Sequence, residues 1–473
     1  MAVPEPKDLF PLPLTAFEQF MLADESAEYP MVFYLQTQLS GIVDRDVMRL
    51  AVDETLARHP LLGCHVQRVE GRLSWVWAGD QIPEADWDPD NWQQQEPWRQ
   101  AIDLTQQIGL RVWGEQSETH ATLTLQFHHA CCDGIAAAQF LEDIAICYAR
   151  HYALRHDTGD DLPELRPLDL QLLKQRNDRK GRRIANVRGN VLRRIRILCK
   201  YTLRYLRQVK LPVDADESLV PADRQQGLGL LEARLDRKQT RGLRDAAKQH
   251  NASLNDLLVC ELMHTASSWN QSLPGWKLPR FLWKQPTYCV LVPTSLRGPT
   301  DISLPASNVV SYVFMARPVS LLQDPVALLE SVRDEMQLVH KHQGGWLFVQ
   351  AIESLQRIPG LLRMIMKRTQ NSCMSTTVLS HMGNLLNAVG SRLPRDDGRI
   401  RMGNLLVDQI GGVPPVRQGT AVAFSTMMVG GQLVISMRCC ARRFSRQAAE
   451  RLLQQLVSQL SRHQKDARQL AGS

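Results

Sequence analysis

His128, His129, Cys131, Cys132 and Asp133 fall within six consecutive residues of the run His128-His129-Ala130-Cys131-Cys132-Asp133-Gly134. An imidazole with a pKa near neutrality can take a proton from a group as it attacks. The run therefore nominates a base, and a positioned base is worth roughly a hundred- to ten-thousand-fold in rate. Gly134 lacks a Cβ and can take the backbone angles that a tight turn often demands. Other readings of the same residues compete. A zinc site from His128, His129, Cys131 and Cys132 has suitable ligand types, but adjacent ligands point apart and the usual spacing of two to four intervening residues is missing. Cys132 as a nucleophile activated by His129 would be thiol chemistry, whereas a cysteine in such a place more often serves as a small packing residue. The histidines could also be satisfied core groups at a strand end.

The flanking residues say what must position the run. Ala121–Phe127 alternates Thr122, Thr124 and Gln126 with Leu123, Leu125 and Phe127, the period of a strand with one buried face. Behind it, Ile135, Phe140, Leu141, Ile144, Ala145 and Tyr148 recur at helical spacing. The run is thus read as the turn between a strand end and a helix start.

The seven residues fit the pattern HHxxxDG and resemble the signature of the chloramphenicol acetyltransferase and condensation-domain superfamily of acyltransferases. The resemblance implies that His129, the second histidine, abstracts the acceptor proton and that no covalent acyl-enzyme forms. His128 is then structural. Asp133 is implied to pair with an arginine under the site and hold the loop in shape, and the matching residue is Arg297, at the end of Val292-Pro293-Thr294-Ser295-Leu296-Arg297. The likeness extends over most of the chain. Leu12–Gln19 resembles the family's opening segment, with Thr15 and Glu18 spaced as a capping box. Asp44–Ala57 reads as an amphipathic helix closed by Arg58-His59-Pro60-Leu61-Leu62, similar to the family's helix-to-strand passage. Asn255-Asp256 matches the family's Asn-Asp pair, and the preferred reading is a helix cap with Ser253 rather than a catalytic part. Gly431–Phe444 and a helix from Ser445 to about His463 resemble the superfamily's closing strand and helix.

Some features depart from the pattern. There is no Asp-Phe-Gly-Trp-Gly segment of the plant acyltransferase kind, and His340-Lys341-His342 lacks the Asp-Gly of a second motif. Ser375-Thr376-Thr377 is a candidate for oxyanion contact or tunnel lining, because some superfamily members place a short Ser/Thr run opposite the base. The competing reading is of β-formers in an ordinary strand. His381, where relatives often carry Asn, is read as structural.

With 473 residues, two to three domains are expected, and two fit the resemblance. Hydrophobic content of 44% and charged content of 22% are those of a globular chain and exclude wholesale disorder. Ten cysteines without paired spacing argue against a disulfide framework and for a reducing compartment. Pro, Glu, Lys and Asp occupy the N-terminus where a signal peptide needs an apolar run, and no apolar stretch approaches the length of a membrane span. The expected location is cytoplasmic, with peripheral attachment to a membrane left open.

Charge is concentrated. Lys174–Lys210 holds fourteen Lys/Arg against one acidic residue, a net +13 in a chain of net +7. Ile184, Val187, Val191, Ile195, Leu198, Thr202, Tyr205 and Val209 give it an apolar seam flanked by Arg193, Arg194, Arg196, Lys200, Arg204 and Arg207. A linker helix packed on the lobes, a helix lying on anionic lipid and a dock for an acidic carrier protein are the open readings. Nucleic acid is not expected, since no known nucleic-acid module accompanies the charge. Trp75, Trp77, Trp87, Trp92, Trp98 and Trp113 are read mostly as core, with an acyl channel as the alternative. Trp276, Phe281 and Trp283, among prolines, are read as exposed aromatics.

The expectation is an α/β protein of two chloramphenicol acetyltransferase-like lobes, each a mainly antiparallel or mixed sheet with flanking helices. Residues 1–165 form the N-terminal lobe, 166–225 the basic linker and 226–473 the C-terminal lobe, with an active-site tunnel between lobes. The expected function is transfer of an acyl group from a coenzyme A or carrier-protein thioester to an alcohol, as in wax-ester-synthase-like and alcohol acyltransferases, with no permanently bound cofactor and no metal. An amine acceptor is the runner-up. A condensation-like docking module without turnover is the alternative of another class. No adenylation or carrier segment is recognisable, so a stand-alone protein is expected, and one forming peptides would need its donors delivered by other chains.

Overall fold

A computed structural model of the protein describes residues 6–26, 29–79, 83, 85–86, 101–159, 162–176, 209–211, 231–278, 285–369, 372–384, 392–417, 419–440 and 443–471. Arg193, Arg194, Arg196, Lys200 and Arg204 lie outside the described residues, as do Trp87, Trp92, Trp98, Phe281 and Trp283. Strands are numbered in chain order. A small sheet is made of β1 (Leu12–Pro13), β3 (Cys64–Val69) and β4 (Arg72–Trp77), with β4 central. A seven-stranded sheet takes β2 (Val32–Ser40), β5 (Ala85–Asp86), β6 (Leu110–Gln116) and β7 (His120–His128) from the N-terminal part. It is completed by β12 (Arg395–Asp396), β13 (Arg399–Met402) and β14 (Leu405–Val413), in the order β12-β13-β14-β2-β7-β6-β5. The six-stranded sheet is β10-β9-β11-β15-β16-β8. Its strands are β8 (Leu231–Leu235), β9 (Thr287–Ser295), β10 (Val310–Pro318), β11 (Thr377–His381), β15 (Val422–Val429) and β16 (Gln432–Cys439). Both larger sheets are mixed: β5 runs parallel to β6, and β11 runs parallel to β9 and β15.

Chain order and sheet membership do not coincide. The division at 226 assigns residues 395–413 to the C-terminal lobe, yet β14 pairs with β2 along its length, with Ile410 opposite Thr37 and Val413 opposite Tyr34. Leu405, Ile410 and Val413 are buried in the same core as Val32, Leu35 and Leu39. Alternation marks such a segment as a strand, but says nothing of which sheet it joins. The helices Trp346–Gln356 and Leu361–Thr369 also bury Trp346, Val349, Leu362 and Met366 in this first core. A second core gathers around the six-stranded sheet, and Tyr312, Phe348 and Met374 touch both.

Three helices frame the run His128–Gly134. Helix α1 (Ala16–Asp24) starts at a complete capping box: Thr15 accepts from the Glu18 amide and the Glu18 carboxylate accepts from the Thr15 amide. Helix α2 (Arg45–Arg58) is capped by Asp44, and helix α3 (Gly134–His156) by Asp133. Helix α3 meets the sheet where Phe140 sets its edge on Phe127, ring centroids 5.8 Å apart. Both rings are wholly buried, and each contributes roughly 1.5–3 kcal/mol by leaving water. No helix among the described residues is long and apolar enough to cross a membrane. Trp276 is half-buried against the second core rather than exposed: the chain turns after Leu273 and folds the indole back.

Candidate active site at the end of strand β7

Strand β7 ends held on both sides. The His128 amide donates to the Gly109 carbonyl at 2.9 Å, and the His129 amide to the Met31 carbonyl at 2.7 Å. The His128 ring is wholly buried, and its Nδ1 accepts a hydrogen bond from the Ala130 amide at 3.1 Å. A ring nitrogen that accepts carries no proton, so the proton sits on Nε2, 3.1 Å from Oε2 of Glu25. This tautomer leaves His128 no free lone pair for proton abstraction.

His129 is arranged differently. Its side chain is nearly buried, with the ring centroid 5.0 Å from that of Phe33. Its carbonyl accepts from Nδ2 of Asn308, so the residue is clamped at both ends of its backbone. Nδ1 is buried without a hydrogen-bond partner, and the backbone of His129 itself and of Cys132 lies near the ring. Burial pushes the His129 pKa below its ordinary 6.5; that backbone and the Asp133 charge pull it back up in part, and His128 pushes it further down. The imidazole is therefore neutral at pH 7, the form that can take a proton.

Asp133 organises the turn. Its Oδ1 caps α3 by accepting from the Ala136 amide at 2.9 Å, while Oδ2 accepts from the Arg297 guanidinium and from the Val309 amide at 2.7 Å. Arg297 in turn donates to the Ser307 carbonyl at 2.9 Å. The structure thus brings Asp133 and Arg297 together across 164 residues. Residues 307–309 form a strap under the site: Ser307 holds Arg297, Asn308 holds His129 and Val309 holds Asp133. Asn308, Phe33 and Glu25 were not singled out by sequence, because neither periodicity nor a local motif marks them.

Gly134 departs from expectation. It does not adopt a left-handed backbone, and what favours glycine is space: a Cβ there would lie 2.6 Å from Cε and 2.9 Å from Sδ of Met382. The zinc and thiol readings fare poorly on geometry. The Cys131 thiol donates to the His128 carbonyl and the Cys132 thiol to the Asp133 carbonyl, and burial pushes both thiols up in pKa, away from thiolate. Among the described residues no group of three or more His, Cys, Asp or Glu could hold a metal ion.

Ser375, Thr376 and Thr377 do not offer the free hydroxyls expected of oxyanion donors. Thr376 Oγ1 donates to the Val209 carbonyl at 2.8 Å and accepts from the Cys289 amide at 3.0 Å. Thr377 Oγ1 donates to the Val422 carbonyl at 3.0 Å, and Ser375 Oγ lies 3.3 Å from Thr420 Oγ1. All three side chains are buried at the start of β11, where they tie neighbouring strands and loops. His381 Nδ1 lies 2.7 Å from Thr426 Oγ1, and burial lowers its pKa to about 4.

No protein-family model matches the chain, and no curated protein matches it by sequence. Solved structures do match its fold over nearly its whole length. The first condensation domain of the calcium-dependent antibiotic synthetase, in complex with a substrate analogue, is 16% identical with a TM-score of 0.65, covering 97% of each chain. The X-domain from teicoplanin biosynthesis is 16% identical with a TM-score of 0.59, covering 98% of this chain and 97% of that one. Polyketide synthase associated protein 5 from Mycobacterium tuberculosis is 17% identical with a TM-score of 0.57, over 96% and 98%. At such identities the likeness is one of fold, and the protein has the two-lobed fold of condensation domains.

Proposed function

We propose that the protein is an acyltransferase with His129 as general base. Nδ1 would carry the proton, toward the backbone of His129 and Cys132, and leave the Nε2 lone pair for the acceptor. As an alcohol attacks a thioester carbonyl, His129 takes its proton, the new C–O bond forms, the C–S bond breaks and the proton passes to the departing thiolate. The observation that carries this reading is a buried imidazole clamped through its own backbone amide and carbonyl, where burial favours the neutral form. Holding both reactants there would supply much of the rate by proximity. The donor is a coenzyme A or carrier-protein thioester acting as co-substrate. An alcohol needs the base more than an amine, which attacks through its own lone pair and sheds its proton afterwards.

A docking module without turnover is the second reading, favoured by the likeness to an X-domain solved in complex with OxyB, 16% identical with a TM-score of 0.56. The basic segment with Arg193, Arg194, Arg196, Lys200 and Arg204 would serve either reading as a contact for an acidic carrier protein or an anionic membrane surface. Mass spectrometry of products after incubation with mixed acyl-coenzyme A and carrier-bound thioesters, alcohols and amines tests both. Esters are expected. Amides would move the acceptor to the runner-up class, and no product from any donor would favour docking.

A further inference from the structure

A third buried histidine, His59, is tied to the segment that underlies the same site. It follows α2 in Arg58-His59-Pro60, and only 1% of its surface is exposed. Its Nδ1 accepts from the Ala306 amide at 2.8 Å, so its proton sits on Nε2, which faces Asp143 Oδ2 at 3.2 Å. Asp143 lies on α3 and also accepts from Arg58 Nε at 2.8 Å. Ala306 is the residue immediately before the strap, so four consecutive residues, 306 to 309, are each anchored: to His59, Arg297, His129 and Asp133. A second route runs through rings. His59 meets Phe140 at 5.5 Å, Phe140 meets Phe127 at 5.8 Å, Phe127 stacks on Phe33 at 5.2 Å and Phe33 meets His129 at 5.0 Å.

We infer that His59 is a positioning residue for His129, fixing the strap at 306–309 from one end while the aromatic ladder fixes the ring from the other. The inference rests on the reading of His129 as the base. His59 itself touches no reacting atom; it acts because an unanchored strap would free the Asn308 clamp on His129 and the Val309 bond to Asp133.

Two substitutions separate this role from bulk packing. In His59→Asn the side-chain oxygen can occupy the place of Nδ1 and still accept from Ala306. In His59→Gln the amide reaches toward Asp143 and leaves the Ala306 amide without its acceptor. Hydrogen exchange of the 306–309 amides is expected to rise about tenfold or more in His59→Gln and to stay near wild type in His59→Asn, the loss of one buried hydrogen bond. With the best donor and acceptor pair from the product screen, kcat should fall about tenfold in His59→Gln with little change in KM, the mark of a misplaced base rather than lost binding. Unchanged exchange in His59→Gln, or equal loss in both variants, overturns the inference. Should His59→Gln fail to fold, a tenfold rise in exchange in His59→Asn alone overturns it. If His129→Ala turns over like wild type, or no product forms at all, the base assignment fails separately. Exchange of the strap and the ring NMR signals of His129 still decide whether His59 positions that residue.

Discussion

The turn at His128–Gly134 and the start of β11 at Ser375–Thr377 are both buried, both polar, and both candidates for chemistry from sequence. They differ in what their polar groups are free to do. At β11 each hydroxyl has a protein partner: Thr376 bridges Cys289 and Val209, Thr377 reaches Val422, and Ser375 meets Thr420. In the turn, His128 is equally committed, to Ala130 and Glu25, while the ring of His129 makes no aligned hydrogen bond through its buried Nδ1. A buried polar group without an aligned partner is costly, so it persists where something else requires it. Polarity and burial alone therefore do not mark a reactive group.

The sharpest way to break this contrast is His129→Ala. Turnover should fall by about a hundred- to ten-thousand-fold while the thermal transition stays near wild type, because the base is lost and the clamping bonds to Met31 and Asn308 use backbone atoms. Wild-type turnover in that variant would remove the contrast between the turn and β11. The pH profile sharpens the point. Protonation of His129 removes the lone pair, so turnover should fall with decreasing pH through a pKa below 6.5, and a limb above 6.5 would contradict the lowering by burial.

Next in size is Asp133→Ala. It strands the Arg297 guanidinium, whose side chain is 9% exposed, and should cost about 3–5 kcal/mol in chemical denaturation. It also removes the cap of α3 and the acceptor of Val309. Denaturation like that of wild type would mean that the pair contributes nothing to the turn.

Much of this arrangement was legible in the sequence, for identifiable reasons. The strand before His128 and the helix after it announce themselves by period, and the caps at Thr15 and Ser253 are local hydrogen bonds between residues three apart. The partners of Asp133 lie 164 and 176 residues away, and only the family resemblance pointed to Arg297. Asn308 had no such pointer, and the resemblance placed His59 in a helix-to-strand passage without its partners, since these contacts depend on how two distant segments meet. The membership of β14 in the N-terminal sheet was hidden for the same reason.

Thr376→Val tests the other half of the comparison. The isosteric methyl cannot accept from Cys289 or donate to Val209, and two buried backbone groups lose a partner. Stability should fall by about 1–3 kcal/mol, while turnover per folded molecule stays unchanged. A drop in kcat at equal stability would return this residue to the oxyanion role.

Gly134→Ala is the smallest expected effect, and it falls where the two regions meet, because Met382 directly follows β11. If the turn needed a left-handed backbone at 134, any side chain would be strained there. The backbone is not left-handed, and the crowding comes from the tip of one methionine, which has three rotatable bonds to move aside. Gly134 is also the first residue of α3, where alanine gains up to about 1 kcal/mol over glycine in helix propensity. The displacement and the gain oppose each other, so Gly134→Ala should lie within about 1 kcal/mol of wild type, and a second substitution, Met382→Ala, should remove the clash that offsets the gain. The double-mutant cycle reads this directly. Strong destabilisation by Gly134→Ala that Met382→Ala does not relieve would place the constraint in the backbone of the turn and not in its contact with the segment after β11.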